Sequence, residues 1–463
     1  MKYGIGLTGI EDKKSLKITI PTALAGLLGR LRDAGHEAYA VGGCVRDALL
    51  GREPEDWDVT TSAKPEEVKA LFRRTVDTGL QHGTVTVLTG GESYEVTTYR
   101  VDGVYEDGRH PKSVTFASKL EEDLLRRDFT INAMAYSEET GLVDLYHGVE
   151  DLKQGVIRAV GNPTERFHED ALRMLRAVRF SAQLGFEIEP ETAKAVKELS
   201  TRLSMISAER IQTELKKIMA CDRPEGFRAA WELGLTAMFL PEFDLCMETV
   251  QNTPHHAYTV GEHTLKALEA SKELSLSGEE RVNICLSLLL HDIAKPKAKT
   301  TDPDGKDHFK GHAPMGAKMA ASILRRLKFD NKTISLVKRL VENHEFRTPL
   351  TDKAVRRLMA RTGDENMDIL LKLRRADILG QSLYLREEKL RGLEELSAQL
   401  ANIRKQGDAI TIADLKIGGQ DLMELGIPEG PELGRILKEL MEEVLDEPDR
   451  NDREYLLKRA GEL

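Results

Sequence analysis

An apolar run, Tyr39-Ala40-Val41, leads into Gly42 and Gly43, and these into Cys44-Val45-Arg46-Asp47. A glycine pair between a strand and a helix starting near Val45 makes a turn without Cβ atoms. Backbone N–H groups can then approach a phosphate closely, and the helix N-terminus adds favourable partial charge. Arg46, one turn in, carries a guanidinium fork that can take phosphate oxygens in pairs. Nine residues after Asp47 comes Asp56-Trp57-Asp58-Val59-Thr60. Read as a short strand, its period of two places both carboxylates on one face and Trp57 on the other. Two carboxylates held that close repel unless a divalent cation lies between them, and Mg²⁺ is the usual choice when substrate phosphates complete its shell. A phosphate cradle beside paired aspartates implies metal-assisted nucleotidyl transfer.

Further along, Leu124-Leu125-Arg126-Arg127-Asp128-Phe129-Thr130-Ile131-Asn132-Ala133 sets an Arg-Arg-Asp run before an apolar helix. Glu169-Asp170-Ala171-Leu172-Arg173-Met174-Leu175-Arg176-Ala177-Val178-Arg179 follows in the next stretch. On a helix, Asp170, Arg173, Arg176 and Arg179 form one drifting polar stripe, with Leu172, Leu175 and Val178 behind it. Such a stripe is either a solvated face with ion pairs or a row of ligand contacts. Glu95, in Tyr94-Glu95-Val96-Thr97-Thr98-Tyr99, is a third acid that can serve the Asp56–Asp58 pair or simply face solvent. In the second half His263, the adjacent pair His291-Asp292, His312, His344 and Asp377 are spread over helical sequence. A single histidine on a helix is ordinarily a core or surface group; the pair at 291–292 stands out because it ends the apolar run Leu286 to Leu290.

The elements that must hold these groups divide in two. From Lys17 to about Val160 strands and helices mix: Thr84 to Leu88 and Tyr94 to Tyr99 alternate with period two, and Pro65 opens a helix. Val101 to Pro111 is polar and rich in turn formers, and reads as a mobile loop. From Asn162 onward apolar residues recur at three-to-four spacing with Gly and Pro at junctions. The fold class expected is an α+β head followed by an all-α neck, body and tail. The boundaries expected are 1–160 for the head, 161–245 for the neck, 246–380 for the region of the histidines and 381–463 for the tail. With 463 residues, 40% hydrophobic and 31% charged, the chain reads as a soluble globular protein of about three domains. No apolar run approaches the ~20 residues of a membrane span. Four scattered cysteines without CxxC spacing indicate neither a disulfide framework nor a thiolate zinc site, so a reducing cytoplasm is expected. A net charge of −10 argues against a protein that coats nucleic acid along its length, yet leaves room for a local basic groove. Nothing here sets the oligomeric state.

The glycine turn with its DxD resembles the nucleotidyltransferase superfamily that includes DNA polymerase beta. The wording GGxVRDxLLGR is similar to class II tRNA nucleotidyltransferases (CCA-adding enzymes) and their bacterial poly(A) polymerase relatives, and so are RRDFTINA and Asp144-Leu145-Tyr146-His147-Gly148. EDxxR and Ser207 to Leu215 match further motifs of that family. The resemblance implies a palm-like head with Asp56 and Asp58 holding two Mg²⁺ ions and Gly43 and Arg46 seating a triphosphate. Arg127 would contact the triphosphate or sugar and Asp128 the ribose; Arg176 and Arg179 would lie in the nucleotide pocket. Asp170 and Arg173 would choose the base, because a pure acceptor beside a pure donor matches the pairing edges of C and A and opposes those of U and G. Ser207 to Leu215 would buttress the neck helix. The partners implied are tRNA, CTP and ATP, and the reaction is addition of C, C and A with release of pyrophosphate. An intact segment from Asp102 to Pro111 and the wording Leu80 to Val85 favour full addition over CC-only addition, while A-only addition and poly(A) synthesis remain competitors. His263, His291, Asp292, His312, His344 and Asp377 resemble the ligand set of two-metal HD phosphohydrolases, with Lys295 placed to steady a phosphate. Imidazole and carboxylate donors suit Ni²⁺, Mn²⁺, Fe²⁺ or Co²⁺. A phosphohydrolase with a nucleotide-binding head is the competing function of a different class.

Overall fold

The computed structural model describes residues 17–80, 83–102, 114–117, 119–253, 257–348 and 350–463. The chain separates into two compact units: 1–218 with 226–239, and 219–225 with 240–463.

The first unit opens with α1 (Thr22–Asp33), which buries Leu24, Leu27, Leu28 and Leu31 along one stripe. The head then runs β1 (Ala38–Val41), α2 (Gly43–Leu49), β2 (Asp58–Thr61), α3 (Pro65–Leu71), β3 (Thr75–Gly79), β4 (Thr84–Thr89) and β5 (Glu92–Thr98). A short hairpin of β6 (Arg100–Asp102) and β7 (Val114–Phe116) follows, then α4 (Leu120–Leu125), β8 (Ala135–Ser137), β9 (Gly141–Val143) and α5 (Gly148–Gln154). Seven strands form one mixed sheet in the order β3-β4-β5-β2-β1-β8-β9. β2 lies antiparallel to β1 and parallel to β5, whose register sets Asp58 directly beside Glu95. Alternation in β5 is as the sequence indicates: Tyr94, Val96 and Thr98 are buried and Glu95 is exposed. α3 begins at Pro65, with the Glu67 side chain accepting the Lys64 N–H at 2.7 Å. Of the segment on which full and CC-only addition differ, Asp102 to Pro111, all but Asp102 lies outside the described residues, as do Gln81 and His82 of the wording Leu80 to Val85.

Two boundaries differ from the sequence reading. The helix after the glycine pair starts at Gly43, because Gly42 alone makes the turn. Asp56 and Trp57 precede β2, so the two aspartates do not share one strand; β2 begins at Asp58, and Trp57 is packed against the core.

The neck comprises α6 (Pro163–Glu169), α7 (Leu172–Leu184), α8 (Pro190–Leu199) and α9 (Ala208–Ala220). Asn162 caps α6, its Oδ1 accepting from Thr164 N at 2.9 Å. Beyond residue 162 the described strands are only two residues long. The second unit is built of helices, among them Val260–Ala270, Gly278–Leu290, His312–Arg326, Asn331–Asn343, Met367–Gly380 and Arg386–Gln406. Gly380 lets two of these touch: a Cβ there would lie 2.6 Å from the Ala267 nitrogen. That close approach brings the end of Met367–Gly380, with Asp377, against the helix that carries His263. No helix among the described residues is long and apolar enough to cross a membrane.

Candidate functional site

Gly42 has φ 88° and ψ −134°, a conformation that side chains other than glycine's rarely adopt. Its open side is covered by Arg127, whose Nη1 lies 2.8 Å from where a Cβ would stand. Arg127 comes from the turn after α4, and its nearest carboxylate contact is a long 3.4 Å one to Asp123. Its Nε–H is buried and meets no acceptor among the described residues. This guanidinium therefore keeps donors for an anion.

Asp58 carries its carboxylate at the start of β2. Surrounding protein raises its pKa, with Glu95 and Asp56 adding to the rise, while the positive charge of Arg127 opposes it. Cation-seeking carboxylates and an anion-seeking arginine thus act on one another at one end of the sheet. An all-oxygen donor set with mutual repulsion fits a hard divalent ion such as Mg²⁺.

Arg46 is placed differently from the expectation. It is buried; its Nε and Nη2 donate to the Asp47 carboxylate at 2.9 and 2.7 Å, and its Nη1 donates to Asn132 Oδ1 at 2.7 Å. With its fork already filled, Arg46 organises the turn from beneath, and a phosphate would have to displace one of these partners. Gly43 has the Arg46 guanidinium as its nearest neighbour.

The neck stripe is also rearranged. Asp170 is not on α7 but at the junction with α6, where its Oδ1 accepts from Leu172 N at 3.0 Å. Arg210 of α9 grips both its oxygens, at 3.1 and 2.7 Å. Arg173 is buried, donating to Glu169 Oε2 at 2.6 Å and to the carbonyl of Arg126 at 2.8 Å. Arg176 pairs with Asp128 at 2.6 Å, and Arg179 pairs with Glu214 of α9 at 2.6 Å. Arg46, Arg176 and Arg179 all approach the Phe180 ring, at 5.0, 5.4 and 3.8 Å. Arg176 and Arg179 are directed into internal ion pairs, not into an open row of ligand contacts. Asp128 is likewise filled, by Arg176, by its neighbour Phe129 N and by Asn132.

The second unit gathers all six expected metal-binding residues. His291 and His344 sit at the ends of Gly278–Leu290 and Asn331–Asn343, and His312 begins His312–Arg326. Each of four histidines has its Nδ1 against a backbone carbonyl: His263 on Gly380 at 3.2 Å, His291 on Leu288 at 2.7 Å, His312 on Phe309 at 2.9 Å and His344 on Val341 at 2.7 Å. A carbonyl only accepts, so each Nδ1 carries a proton and each ring turns its Nε2 the other way. Those Nε2 atoms converge: His263 to His291 at 3.1 Å, and His312 to His344 at 3.3 Å. Asp377 lies 3.0 Å from His263 Nε2, and Asp292 lies 3.2 Å from His291 and 3.4 Å from His312. Two tight three-donor clusters result, His263-His291-Asp292 and Asp292-His312-His344, with Asp292 in both. All six residues are buried. Neither Asp292 oxygen has a well-directed hydrogen bond, although Lys295 Nζ lies 2.7 Å away. Converging imidazole nitrogens and buried carboxylates are donors that divalent cations accept; the residues fit such ions.

With both sites in view, the family models fall into place. "Poly A polymerase head domain" matches residues 38–158, "Probable RNA and SrmB- binding site of polymerase A" matches 185–247, and "tRNA nucleotidyltransferase domain 2 putative" matches 312–460. A CCA-adding enzyme of Leuconostoc mesenteroides is 38% identical over 94% of this chain and 95% of its own. One of Ligilactobacillus salivarius is 36% identical over 98% and 97%. The crystal structure of the Bacillus stearothermophilus CCA-adding enzyme in complex with CTP is 29% identical, covers 96% of this chain and 98% of that one, and superposes with a TM-score of 0.69. This chain belongs to the CCA-adding enzyme family.

As a member of the CCA-adding enzymes it is a tRNA nucleotidyltransferase, an enzyme class that uses divalent metal ions. Two groups in its first unit, Asp123 and Phe180, were not singled out from sequence, and Glu169 was quoted only within EDxxR, with no role of its own. Asp123 is fully buried and accepts from Thr60, Arg126 and Arg127, tying β2 to the arginine pair. Its spacing of three and four residues before the two arginines was the available signal. Glu169 stands four residues before Arg173 and carries the same signal. Phe180, which collects three guanidinium groups, gives none, since an aromatic residue on an apolar face reads as core.

Proposed function

We propose that this enzyme adds C, C and A to the 3′ end of tRNA, drawing on CTP and ATP. The observation that carries this is Arg127, with donors to spare, poised over the Gly42 turn while its charge reaches Asp58. Asp56 and Asp58 are the residues that would hold Mg²⁺, which when bound neutralises triphosphate charge and eases loss of the primer hydroxyl proton. The primer 3′ oxygen bonds to the α-phosphorus, the bond from that phosphorus to the bridging oxygen of the β-phosphate breaks, and pyrophosphate leaves. Arg127 holds the triphosphate; Gly43 keeps the turn open to it, and Arg46 fixes the turn through Asp47 and Asn132. Asp170 and Arg173 read the base, exchanging Arg210 and Glu169 for its pairing edge. A cytoplasmic location suits four cysteines that form no disulfide with one another.

Extension of tRNAs ending before CCA and after CC, with labelled CTP or ATP, tests the reading and separates full addition from A-only addition. Asp58→Ala is expected to abolish incorporation with the fold intact; activity within tenfold of wild type would refute the metal assignment.

The convergent Nε2 atoms support a second activity, metal-dependent hydrolysis of a phosphate ester in the second unit. His263, His291, Asp292 and Asp377 would hold one ion and Asp292, His312 and His344 the other, Ni²⁺ and Mn²⁺ being suitable occupants. Such ions supply Lewis-acid charge to a phosphate and an attacking water. Asp292→Ala is expected to lose both the bound metal and any hydrolysis while sparing CCA addition. Wild-type protein that retains no transition metal after reloading and dialysis would refute this second activity.

A further inference from the structure

The two side chains assigned to base reading are already paired in this structure, and each partner carries the polarity of a base edge. Arg210 gives Asp170 N–H donors at 3.1 and 2.7 Å, as the exocyclic amino group of C or A would. Glu169 gives Arg173 an acceptor at 2.6 Å, as the ring nitrogen of C or A would. U and G present the opposite pattern at both positions.

What holds the two readers differs from what holds their partners. Asp170 also accepts from Leu172 N at 3.0 Å, and Arg173 also donates to the carbonyls of Arg126 and Arg166 at 2.8 and 3.2 Å. These bonds to the backbone keep both readers in place when the side-chain partners leave. Each partner has a state to go to. The Arg210 side chain is 22% exposed and can turn to water, while Glu169 keeps an ion pair with Arg166 at 2.6 Å. Departure of Arg210 does not free α9. Glu214, one turn along the same helix face, is buried and fastens α9 to α7 through Arg179 at 2.6 Å.

We propose that Arg210 and Glu169 are further residues of the base site, acting as an internal stand-in for the pairing edge of C or A. This rests on the reading of the base by Asp170 and Arg173. With no nucleotide bound, the stand-in satisfies a carboxylate and a guanidinium that would otherwise stand unpaired in a largely buried pocket. An entering C or A replaces both bonds in kind, so the exchange is close to balanced; U or G replaces neither. After the new phosphodiester forms, the same competition lifts the added base off the readers and clears the site for the next nucleotide. The stand-in thus weakens binding of the correct nucleotide and hastens the step between additions.

Binding is tested on the full chain with Mg²⁺ and a tRNA that ends before CCA and lacks its terminal 3′-hydroxyl, so that no bond forms. Titration calorimetry compares CTP with inorganic tripolyphosphate, which has the phosphates and no base. Arg210→Ala and Glu169→Gln are each expected to raise the affinity for CTP relative to tripolyphosphate by about fivefold, the upper end for a partly exposed ion pair. Preference for CTP over UTP is expected to be kept. On a tRNA with its hydroxyl, both variants should accumulate the product that carries a single added C. A purely structural role for these residues would lower the affinity for CTP instead. A CTP-to-tripolyphosphate ratio that is unchanged or lowered in both variants, or a lost preference over UTP, would overturn the stand-in and leave the base readers standing. Arg173→Ala is measured alongside: an unchanged preference for CTP over UTP in that variant would overturn the base reading itself.

Discussion

Replacing Gly42 with alanine tests the link between the glycine turn and Arg127. Two costs follow from the geometry. At φ 88° and ψ −134° an L side chain is strained by about 1–3 kcal/mol. The new Cβ would also lie 2.8 Å from Arg127 Nη1, closer than real contacts allow. The far end of an arginine can move, so the collision is relieved by displacing the guanidinium and not by unfolding. For a unit of this size each kcal/mol lowers Tm by roughly 2–4 °C, giving a fall of about 2–12 °C. Loss of one charge-assisted hydrogen bond to the triphosphate, about 1.5–3 kcal/mol, corresponds to roughly 10- to 150-fold in kcat/KM. Steady-state CTP incorporation and thermal unfolding should be measured on Gly42→Ala, Arg127→Ala and the double variant. If the alanine acts through Arg127, the double variant loses no more activity than Arg127→Ala alone, while its Tm still carries the strain. Activity of Gly42→Ala within twofold of wild type, or losses that multiply in the double variant, would refute the coupling.

Two other outcomes are expected in the same unit. Burial alone would raise the Asp128 pKa, but the charge of Arg176 and a hydrogen bond from Asn132 hold it well below the usual range. The pair therefore stabilises above the unfolded carboxylate value, about pH 4, and its contribution is lost as pH falls below it. Asp128→Asn should cost about 1–3 kcal/mol at pH 7 in urea unfolding, with the gap to wild type narrowing by pH 3; a constant gap would contradict the pairing. Arg173→Ala should weaken discrimination against UTP and GTP more than it weakens triphosphate binding, because an opposed polar group in a closed pocket rejects the wrong edge by up to ~10⁴-fold. Unchanged preference in competition assays would leave Arg173 to its internal partners, Glu169 and the Arg126 carbonyl.

Local chemistry was legible in the residues themselves. A turn that only glycine makes easily, strands with alternating sequence and a helix opened by proline are properties of short segments, and β4, β5 and α3 formed where those patterns lie. The pair His291-Asp292 was also legible, since imidazole next to carboxylate after the buried run Leu286 to Leu290 has few bland explanations, while His263, His312, His344 and Asp377 were found through the family resemblance. What the sequence could not specify is which partner each charged side chain takes. The spacing of Asp170, Arg173, Arg176 and Arg179 was readable as a stripe, yet their partners, Arg210, Glu169, Asp128 and Glu214, come partly from α9 and from the turn after α4. A guanidinium bonds whichever carboxylate packing brings within about 3 Å, and that choice belongs to the tertiary structure. Arg46 shows the same division: its residue type suits phosphate, but Asn132, 86 positions away, fills its fork. The convergence of four Nε2 atoms was likewise decided only by packing, where backbone carbonyls fix each ring and Gly380 admits the helix that delivers Asp377.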